Sequence, residues 1–252
     1  MSKKIVIANW KMNPATAVEA KKIYSGIKKG AVKVRGVDTV VCPPFVFLPE
    51  LAKLGVTKKV ALGVQDTFYE ETGAQTGQVS PSMVKGYKAK YTILGHSERR
   101  ALGESSELVG RKVRHAIGEG LTVVMCVGET ERNEEGDYYR FIREEIETAL
   151  SGVKRADLAK LVVAYEPIWA IGKRAEEALD ATALYEMVLF IRKVLTELYG
   201  RAPAGRVPVL YGGSVKAVNA REFVEKGGVD GLLVGGASLK ADEFLNIIKE
   251  TV

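Results

Sequence analysis

Short apolar segments alternate with longer amphipathic segments along the whole chain. Several of the short segments are apolar almost throughout, which is typical of parallel strands covered on both faces. They predict eight β-strands: Lys4–Asn9, Val37–Cys42, Val60–Gln65, Tyr91–Leu94, Leu121–Val127, Leu161–Glu166, Val207–Tyr211 and Asp230–Val234. Between them, Thr130–Leu150, Asp180–Leu198 and Leu239–Ile248 predict helices.

The clearest helix is predicted over Asp180–Leu198, with Asp180 as its N-cap. Apolar residues recur there at intervals of three and four: Leu184, Met187, Val188, Ile191, Leu195 and Leu198. The helix over Thr130–Leu150 has a predicted apolar stripe of Phe141, Ile142, Ile146 and Leu150.

Eight strands alternating with helices predict one α/β domain over residues 1–252. The expected architecture is a single closed (β/α)8 barrel, with parallel strands inside and helices outside. An open doubly wound sheet is the alternative. That fold usually carries a Gly-x-Gly-x-x-Gly turn after its first strand, and Asn9–Asn13 contains no glycine.

Composition narrows the class of protein. With 46% hydrophobic and 27% charged residues, the chain is neither disordered nor collagen-like. No apolar run reaches the ~18 residues of a membrane helix, and Ile5–Ala8 is too short for the core of a signal peptide. Cys42 and Cys126 lie in apolar runs, where we expect buried, reduced thiols. We therefore expect a cytoplasmic protein with no membrane partner.

The net charge of +6 does not by itself indicate a polyanionic partner. The 37 lysines and arginines are spread along the sequence and interleaved with 31 acidic residues. Because there is no basic block, we expect a solvated surface and no nucleic-acid partner.

Residue types change from apolar to polar or glycine where the predicted strands end. In a parallel barrel these ends meet at one face, where barrel enzymes have their active sites. The residues concerned include Asn9-Trp10-Lys11, Gly95-His96, Glu166-Pro167, Gly212-Gly213-Ser214 and Gly235-Gly236.

Three of these side chains have the chemistry of an acid–base site. Glu166 could be a general base, or a strand-end carboxylate in a salt bridge. His96 precedes a predicted short helix, whose positive end would favour a neutral imidazole; the alternative is a structural histidine, as we expect for His115. Lys11 suits an anionic substrate, or is a surface lysine.

The glycines after the last two predicted strands indicate a phosphate site, or simply tight turns. Two histidines and two separated cysteines make no metal-ligand set, so we do not expect a bound metal. Together the residues suit proton transfer next to a carbonyl on a small phosphorylated substrate.

Five motifs in order along the chain resemble the triosephosphate isomerase family. They are Asn9-Trp10-Lys11-Met12-Asn13, Gly95-His96-Ser97-Glu98-Arg99-Arg100, Cys126-Val127-Gly128-Glu129, Ala164-Tyr165-Glu166-Pro167-Ile168-Trp169-Ala170-Ile171-Gly172 and Tyr211-Gly212-Gly213-Ser214-Val215. The resemblance implies a TIM barrel that interconverts dihydroxyacetone phosphate and D-glyceraldehyde 3-phosphate without a cofactor.

The resemblance also implies individual roles. Glu166 would be the base, His96 the neutral electrophile and Lys11 the group that stabilises negative charge. Asn9 would bind substrate oxygens, and Glu98 would support Lys11. The phosphate would be held by Gly172, Ser214, Gly235 and Gly236. An ion pair between Arg192 and Asp230 is expected as a structural feature.

Two departures from the family pattern stand out. The lid after Glu166 reads Ile171-Gly172-Lys173-Arg174-Ala175-Glu176-Glu177, without the family's second glycine and Thr-Ala hinge. We expect a stiffer or differently hinged lid. Asp66 also stands where the family often has asparagine.

The long loop Asp66–Pro81 implies an oligomer. In similar proteins this loop reaches a second subunit, where the threonine, here Thr76, abuts that subunit's site. We therefore expect at least a homodimer. The competing functions are a sugar-phosphate epimerase or lyase of the same architecture, and a phosphate- or nucleic-acid-binding barrel without turnover.

Overall fold

Eight parallel strands close into a barrel in the order β1 to β8, as the alternation of segments predicts. The computed structural model describes residues 3–170 and 179–252. The strands are β1 (Lys4–Asn9), β2 (Val37–Cys42), β3 (Val60–Val64), β4 (Ala89–Leu94), β5 (Thr122–Val127), β6 (Leu161–Tyr165), β7 (Val209–Tyr211) and β8 (Gly231–Val234). The ladder between β1 and β8 completes the circle and excludes the open sheet.

Helices surround the barrel and return the chain from the carboxyl end of one strand to the amino end of the next. They are α1 (Ala17–Ala31), α2 (Leu48–Lys53), α3 (Pro81–Gly86), α4 (Ser97–Ala101), α5 (Ser106–Gly118), α6 (Asp137–Leu150), α7 (Ala181–Tyr199), α8 (Arg201–Ala204), α9 (Ala217–Glu225) and α10 (Ala241–Glu250). No helix within the two described stretches is both long and apolar enough to cross a membrane.

The pleat of the strands divides the apolar residues into two cores. Alternate residues point into the barrel, where Ile7, Val40 and Val124 pack with both cysteines, Cys42 and Cys126, as buried free thiols. The residues between them point outward and form the larger core against the helices. The predicted burial of the cysteines is confirmed.

Several predicted boundaries were wrong by one or two residues. Strand β7 begins at Val209 because Pro208 has no N–H to donate to a ladder. Strand β4 begins earlier than predicted, at Ala89, since the exposed Lys90 hides the pattern. Smaller shifts set the end of β3 at Val64, the start of β5 at Thr122, the end of β6 at Tyr165 and the start of β8 at Gly231.

The helix predictions differ in accuracy. Asp180 caps α7 by accepting hydrogen bonds from the N–H groups of Thr182 and Ala183, as predicted, but Leu198 at its end is exposed. Helix α6 begins at Asp137 rather than Thr130, because Gly136 before it is left-handed, at φ 75°. The last helix runs over Ala241–Glu250, after a 3₁₀ turn at Gly236–Leu239.

The buried face of α6 also differs from the prediction. Phe141 is exposed, and the stripe is completed instead by the carboxylic acid Glu145, together with Ile142 and Ile146. A charged residue therefore occupies a core position, which is rare unless the charge is paired.

Positive charge accumulates at the amino end of the barrel. The connections that lead from a helix into the next strand lie there, and together with the short helix α8 they contain eleven lysines and arginines but only three acidic residues. This excess of eight positive charges exceeds the net charge of the whole chain, +6. The basic residues are Lys33, Arg35, Lys58, Lys59, Lys88, Lys154, Arg155, Lys160, Arg201, Arg206 and Lys226.

Candidate active site

A cavity of about 470 Å³ opens at the carboxyl ends of the strands. The connections after β1, β4, β6, β7 and β8 all contribute to its lining. Seven of the predicted site residues line it: Asn9, Lys11, His96, Glu166, Ser214, Gly235 and Gly236. Lys216 and Lys240 line it too, although the sequence analysis did not select them.

The remaining predicted residues lie elsewhere. Glu98 borders a neighbouring pocket and contacts Lys11 at 2.6 Å, as expected. Thr76 is exposed on the loop between β3 and α3 and does not line the cavity. Gly172, like Lys173 and Arg174, lies outside the described residues, so the expectation of an altered lid stays a prediction.

His96 and Glu166 face each other at the bottom of the cavity. His96 follows β4 and caps α4, whereas Glu166 follows β6, and both side chains are buried. Glu166 Oε1 lies 3.0 Å from His96 Nε2, and its Oε2 accepts a hydrogen bond from the Ser97 N–H. A substrate oxygen at Nε2 would have to displace this carboxylate.

The hydrogen bond at Nδ1 of His96 determines which nitrogen of the neutral ring carries the proton. Nδ1 accepts a hydrogen bond from the Glu98 N–H at 3.2 Å, so the proton of the neutral ring is on Nε2, facing the cavity. Burial lowers the pKa of His96, but the carboxylates of Glu166 and Glu98 together outweigh this effect and raise the pKa above its usual value. Removing the carboxylate from Nε2 therefore favours the neutral ring.

Lys11 has a strained backbone. Its φ is +53°, a left-handed conformation that is uncommon outside glycine. The conformation is held by the Asn9 Oδ1, which accepts from the Lys11 N–H, and by Gln65, which donates to the Lys11 carbonyl. Strain that the surroundings maintain in this way is typical of functional sites.

Glycine provides space beside the candidate base. A Cβ atom on Gly212 would lie 2.8 Å from Glu166 Cγ, so only glycine leaves room for this side chain. A Cβ on Gly235 would touch Lys11 Cε at 3.4 Å. The glycines after β7 and β8 thus bring backbone close to both charged side chains.

A buried carboxylate, Glu145, and its partly buried partner, Arg100, lie behind the cavity and were missed by the sequence analysis. Glu145 Oε1 pairs with Arg100 at 3.0 Å, and its Oε2 accepts from the Gly128 N–H at 2.9 Å. The available signal was the position of Glu145, three residues after Ile142 and one before Ile146 on the buried face of α6.

We expect Glu145 to make stability depend on pH. Burial raises its pKa from 4.5 to about 7, although Arg100 and the Gly128 N–H oppose the rise. Its contribution to the free energy of unfolding is therefore complete below pH 4.5 and lost as the pH rises through 7. Relative to Glu145→Gln, the wild type should lose about 3 kcal/mol between pH 4.5 and 7.5, measured by urea unfolding at both pH values. A constant difference would contradict the shift.

Asp66 belongs to a separate buried charge network. Lys112, only 2% exposed, donates to both Asp66 oxygens at 2.8 and 2.9 Å and to Glu104 at 2.5 Å. Arg99 pairs with the same two carboxylates. Burial raises the pKa of Asp66, although Lys112 opposes this. The network anchors the start of the long loop to α5.

Two further predictions concern residues outside the cavity. His115 lies on α5, away from the cavity, and the Arg192–Asp230 ion pair is confirmed at 2.6 Å.

No group of three or more His, Cys, Asp or Glu side chains suitable for a metal occurs within residues 3–170 and 179–252.

Comparisons with known proteins agree over the full length of the chain. The family model described as Triosephosphate isomerase matches residues 4–251. Relatives named triosephosphate isomerase include that of Thermoanaerobacter pseudethanolicus, 41% identical over 98% of this chain and 99% of the relative. That of Carboxydothermus hydrogenoformans is 41% identical over all of both chains, and that of Roseiflexus sp. (strain RS-1) is 42% identical over 97% and 96%.

Proposed function

Because the chain belongs to the triosephosphate isomerase family, we propose that it interconverts dihydroxyacetone phosphate and D-glyceraldehyde 3-phosphate. The reaction runs through a cis-enediolate by acid–base proton transfer, without a cofactor. The observation that carries the proposal is the buried pair of Glu166 and His96, 3.0 Å apart in a cavity that Lys11 also lines.

Each of the three groups has a distinct task. Glu166 takes the proton from one substrate carbon and returns it to the next. His96 donates a hydrogen bond from Nε2–H to the substrate oxygens, on which negative charge develops. The Lys11 ammonium stabilises the same charge, and Glu98 holds that ammonium at 2.6 Å.

Binding groups complete the site. Asn9 binds the substrate oxygens, and its contact with the Lys11 backbone couples the two residues. Gly172, Ser214, Gly235 and Gly236 hold the phosphate, mainly through backbone N–H groups. The segment Pro167–Glu177 closes over the substrate and excludes water.

A coupled assay on D-glyceraldehyde 3-phosphate tests the proposed function directly. Fast turnover without added metal or cofactor is the expected result. If the protein binds the substrate but does not turn it over, a phosphate-binding barrel without activity replaces the proposal. Activity that needs a divalent metal would favour the epimerase or lyase class.

We expect Lys216 and Lys240 to help capture the phosphorylated substrate. Both are exposed at the cavity, and neither pairs with a carboxylate in the described part of the chain. Replacing both by alanine should raise KM about fivefold at low salt and less at 0.5 M salt, since exposed charges are screened. Lys226→Ala, at the other end of the barrel, is the control and should leave KM unchanged. Equal effects of the two changes would contradict this role.

The same family pattern supports a homodimer. Met12, Val46 and Leu102 are 94%, 76% and 84% exposed on connections beside the cavity, where burial against a second subunit would stabilise them. The long loop that carries Thr76 extends from this face to meet the second subunit's site. Static light scattering should give twice the chain mass at micromolar concentration, and a monomer would reject the dimer.

A single domain in the cytoplasm fits these features. One barrel spans both described stretches, and Cys42 and Cys126 are unpaired thiols inside it.

A further inference from the structure

The carboxylate of Glu145 lies directly behind the candidate active site. It comes from the middle of α6, is 5% exposed and lines no part of the substrate cavity. Its two oxygens have different partners, the Gly128 N–H after β5 and the Arg100 guanidinium on α4. It therefore joins the connections that follow two different strands.

The first contact leads to the candidate base. Gly128 packs so closely on Glu166 that a Cβ atom there would overlap the Glu166 carbonyl oxygen. The Glu166 N–H donates to the carbonyl oxygen of Val127, the residue before Gly128, at 2.8 Å. Any displacement of Gly128 is thus transmitted to the backbone that carries the Glu166 side chain.

The second contact leads to the candidate electrophile. Arg100 donates from Nε to the carbonyl oxygen of Gly95, the residue before His96, at 2.8 Å. It also donates to Ser106 Oγ at 2.9 Å. Arg100 therefore holds the turn from which the His96 ring projects, and Glu145 holds Arg100.

We propose that Glu145 is a positioning residue for isomerisation, which fixes the relative placement of Glu166 and His96 through Gly128 and Arg100. The inference rests on the proposed function. Proton transfer depends steeply on distance and alignment, so loosening this link slows the chemical step more than it weakens substrate binding. We expect acceptance of the Gly128 N–H to be the main requirement, because Arg100 has two further hydrogen-bond partners, the Gly95 carbonyl oxygen and Ser106 Oγ.

Three variants test the proposal, each assayed with D-glyceraldehyde 3-phosphate. Glu145→Ala removes both contacts and should lower kcat about tenfold, with KM within twofold of the wild type. Glu145→Gln keeps an oxygen acceptor for Gly128 and should recover kcat to within about threefold. Glu144→Ala is the matched control, because Glu144 is an exposed neighbour on the same helix, and should leave both constants unchanged.

The outcomes separate the two proposals. If the wild type is active and folded Glu145→Ala has an unchanged kcat, the positioning role alone is overturned. It is also overturned if Glu145→Gln is as slow as Glu145→Ala. Wild type without turnover overturns the proposed function and this inference together.

If Glu145→Ala does not fold, a comparison of kcat at two pH values tests the positioning role instead. Arg100, Glu129 and Glu166 are the charged groups that face the Glu145 carboxyl group. Since burial raises the pKa of Glu145 to about 7, the wild type carries its charge at pH 8 but not at pH 6, whereas Glu145→Gln is neutral throughout. The ratio of kcat between wild type and Glu145→Gln should be about 2 to 3 at pH 8 and near 1 at pH 6. A ratio well above 3 at both pH values overturns the proposal, because an oxygen acceptor for the Gly128 N–H would then not be sufficient to place Glu166 and His96.

Discussion

Glu166→Gln should lower kcat by about 10³-fold or more while leaving KM within a few-fold of the wild type. The amide has the shape of the carboxylate, and its oxygen can still accept the Ser97 N–H bond that Glu166 Oε2 accepts. It cannot take a proton from carbon, however, so the loss falls on the chemical step. The measurement is the coupled assay on D-glyceraldehyde 3-phosphate, with the fold checked by circular dichroism.

A second carboxylate in the same cavity provides the control. Glu243 lines the cavity and forms no ion pair with His96 in the described structure, so Glu243→Gln should leave kcat within about twofold. If both variants lose activity equally, the loss reflects charge in the cavity and not the base. If Glu166→Gln retains a tenth of the activity or more, another group abstracts the proton.

The sequence was sufficient for the barrel and for most of the cavity lining. Strand ends in a closed parallel barrel meet at one face, so Asn9, His96 and Glu166 could be placed together without coordinates. What it could not supply was the pairing of their atoms. The bond from the Glu98 N–H to His96 Nδ1, which places the ring proton, depends on the backbone turn into α4.

Glu145 shows why the sequence analysis missed the residues behind the cavity. Amphipathic patterns identify buried positions by apolar residues, so a carboxylic acid on the buried face of α6 reads as solvent-exposed. Phe141, which fits the pattern, is exposed in its place. Only the partners of Glu145, Gly128 and Arg100, explain its burial, and they are distant in sequence.

Lys112→Met should destabilise the protein by about 3–5 kcal/mol. The ammonium of Lys112 is the shared partner of Asp66 and Glu104, both of which are buried. Methionine fills a similar volume but leaves the two carboxylates facing each other, with Arg99 as their remaining ion-pair partner in the described structure. The midpoint of thermal unfolding should fall by roughly 10 °C, measured by scanning calorimetry.

Arg111→Met on the same helix is the matched control. The Arg111 side chain is 52% exposed and lies 3.9 Å from its acidic partner, Glu70, so its loss should cost less than about 1 kcal/mol. If the two substitutions lower the free energy of unfolding equally, the ion pairs of the buried network do not contribute to stability, and the loss reflects a change anywhere on helix α5. Because the network anchors the loop after β3, Lys112→Met should also weaken the proposed dimer.

The positive charge at the amino end of the barrel makes the molecule an electric dipole. Its positive pole lies at the end of the barrel opposite the candidate active site. The six-residue strands β1, β2, β4 and β5 are about 20 Å long, which is at least two Debye lengths at physiological ionic strength. Screening therefore isolates the substrate from the excess of eight positive charges in the helix-to-strand connections. On a negatively charged resin or electrode the protein would adsorb by this pole. Its cavity would then face the solution, so immobilisation by simple ion exchange should leave the enzyme accessible to substrate.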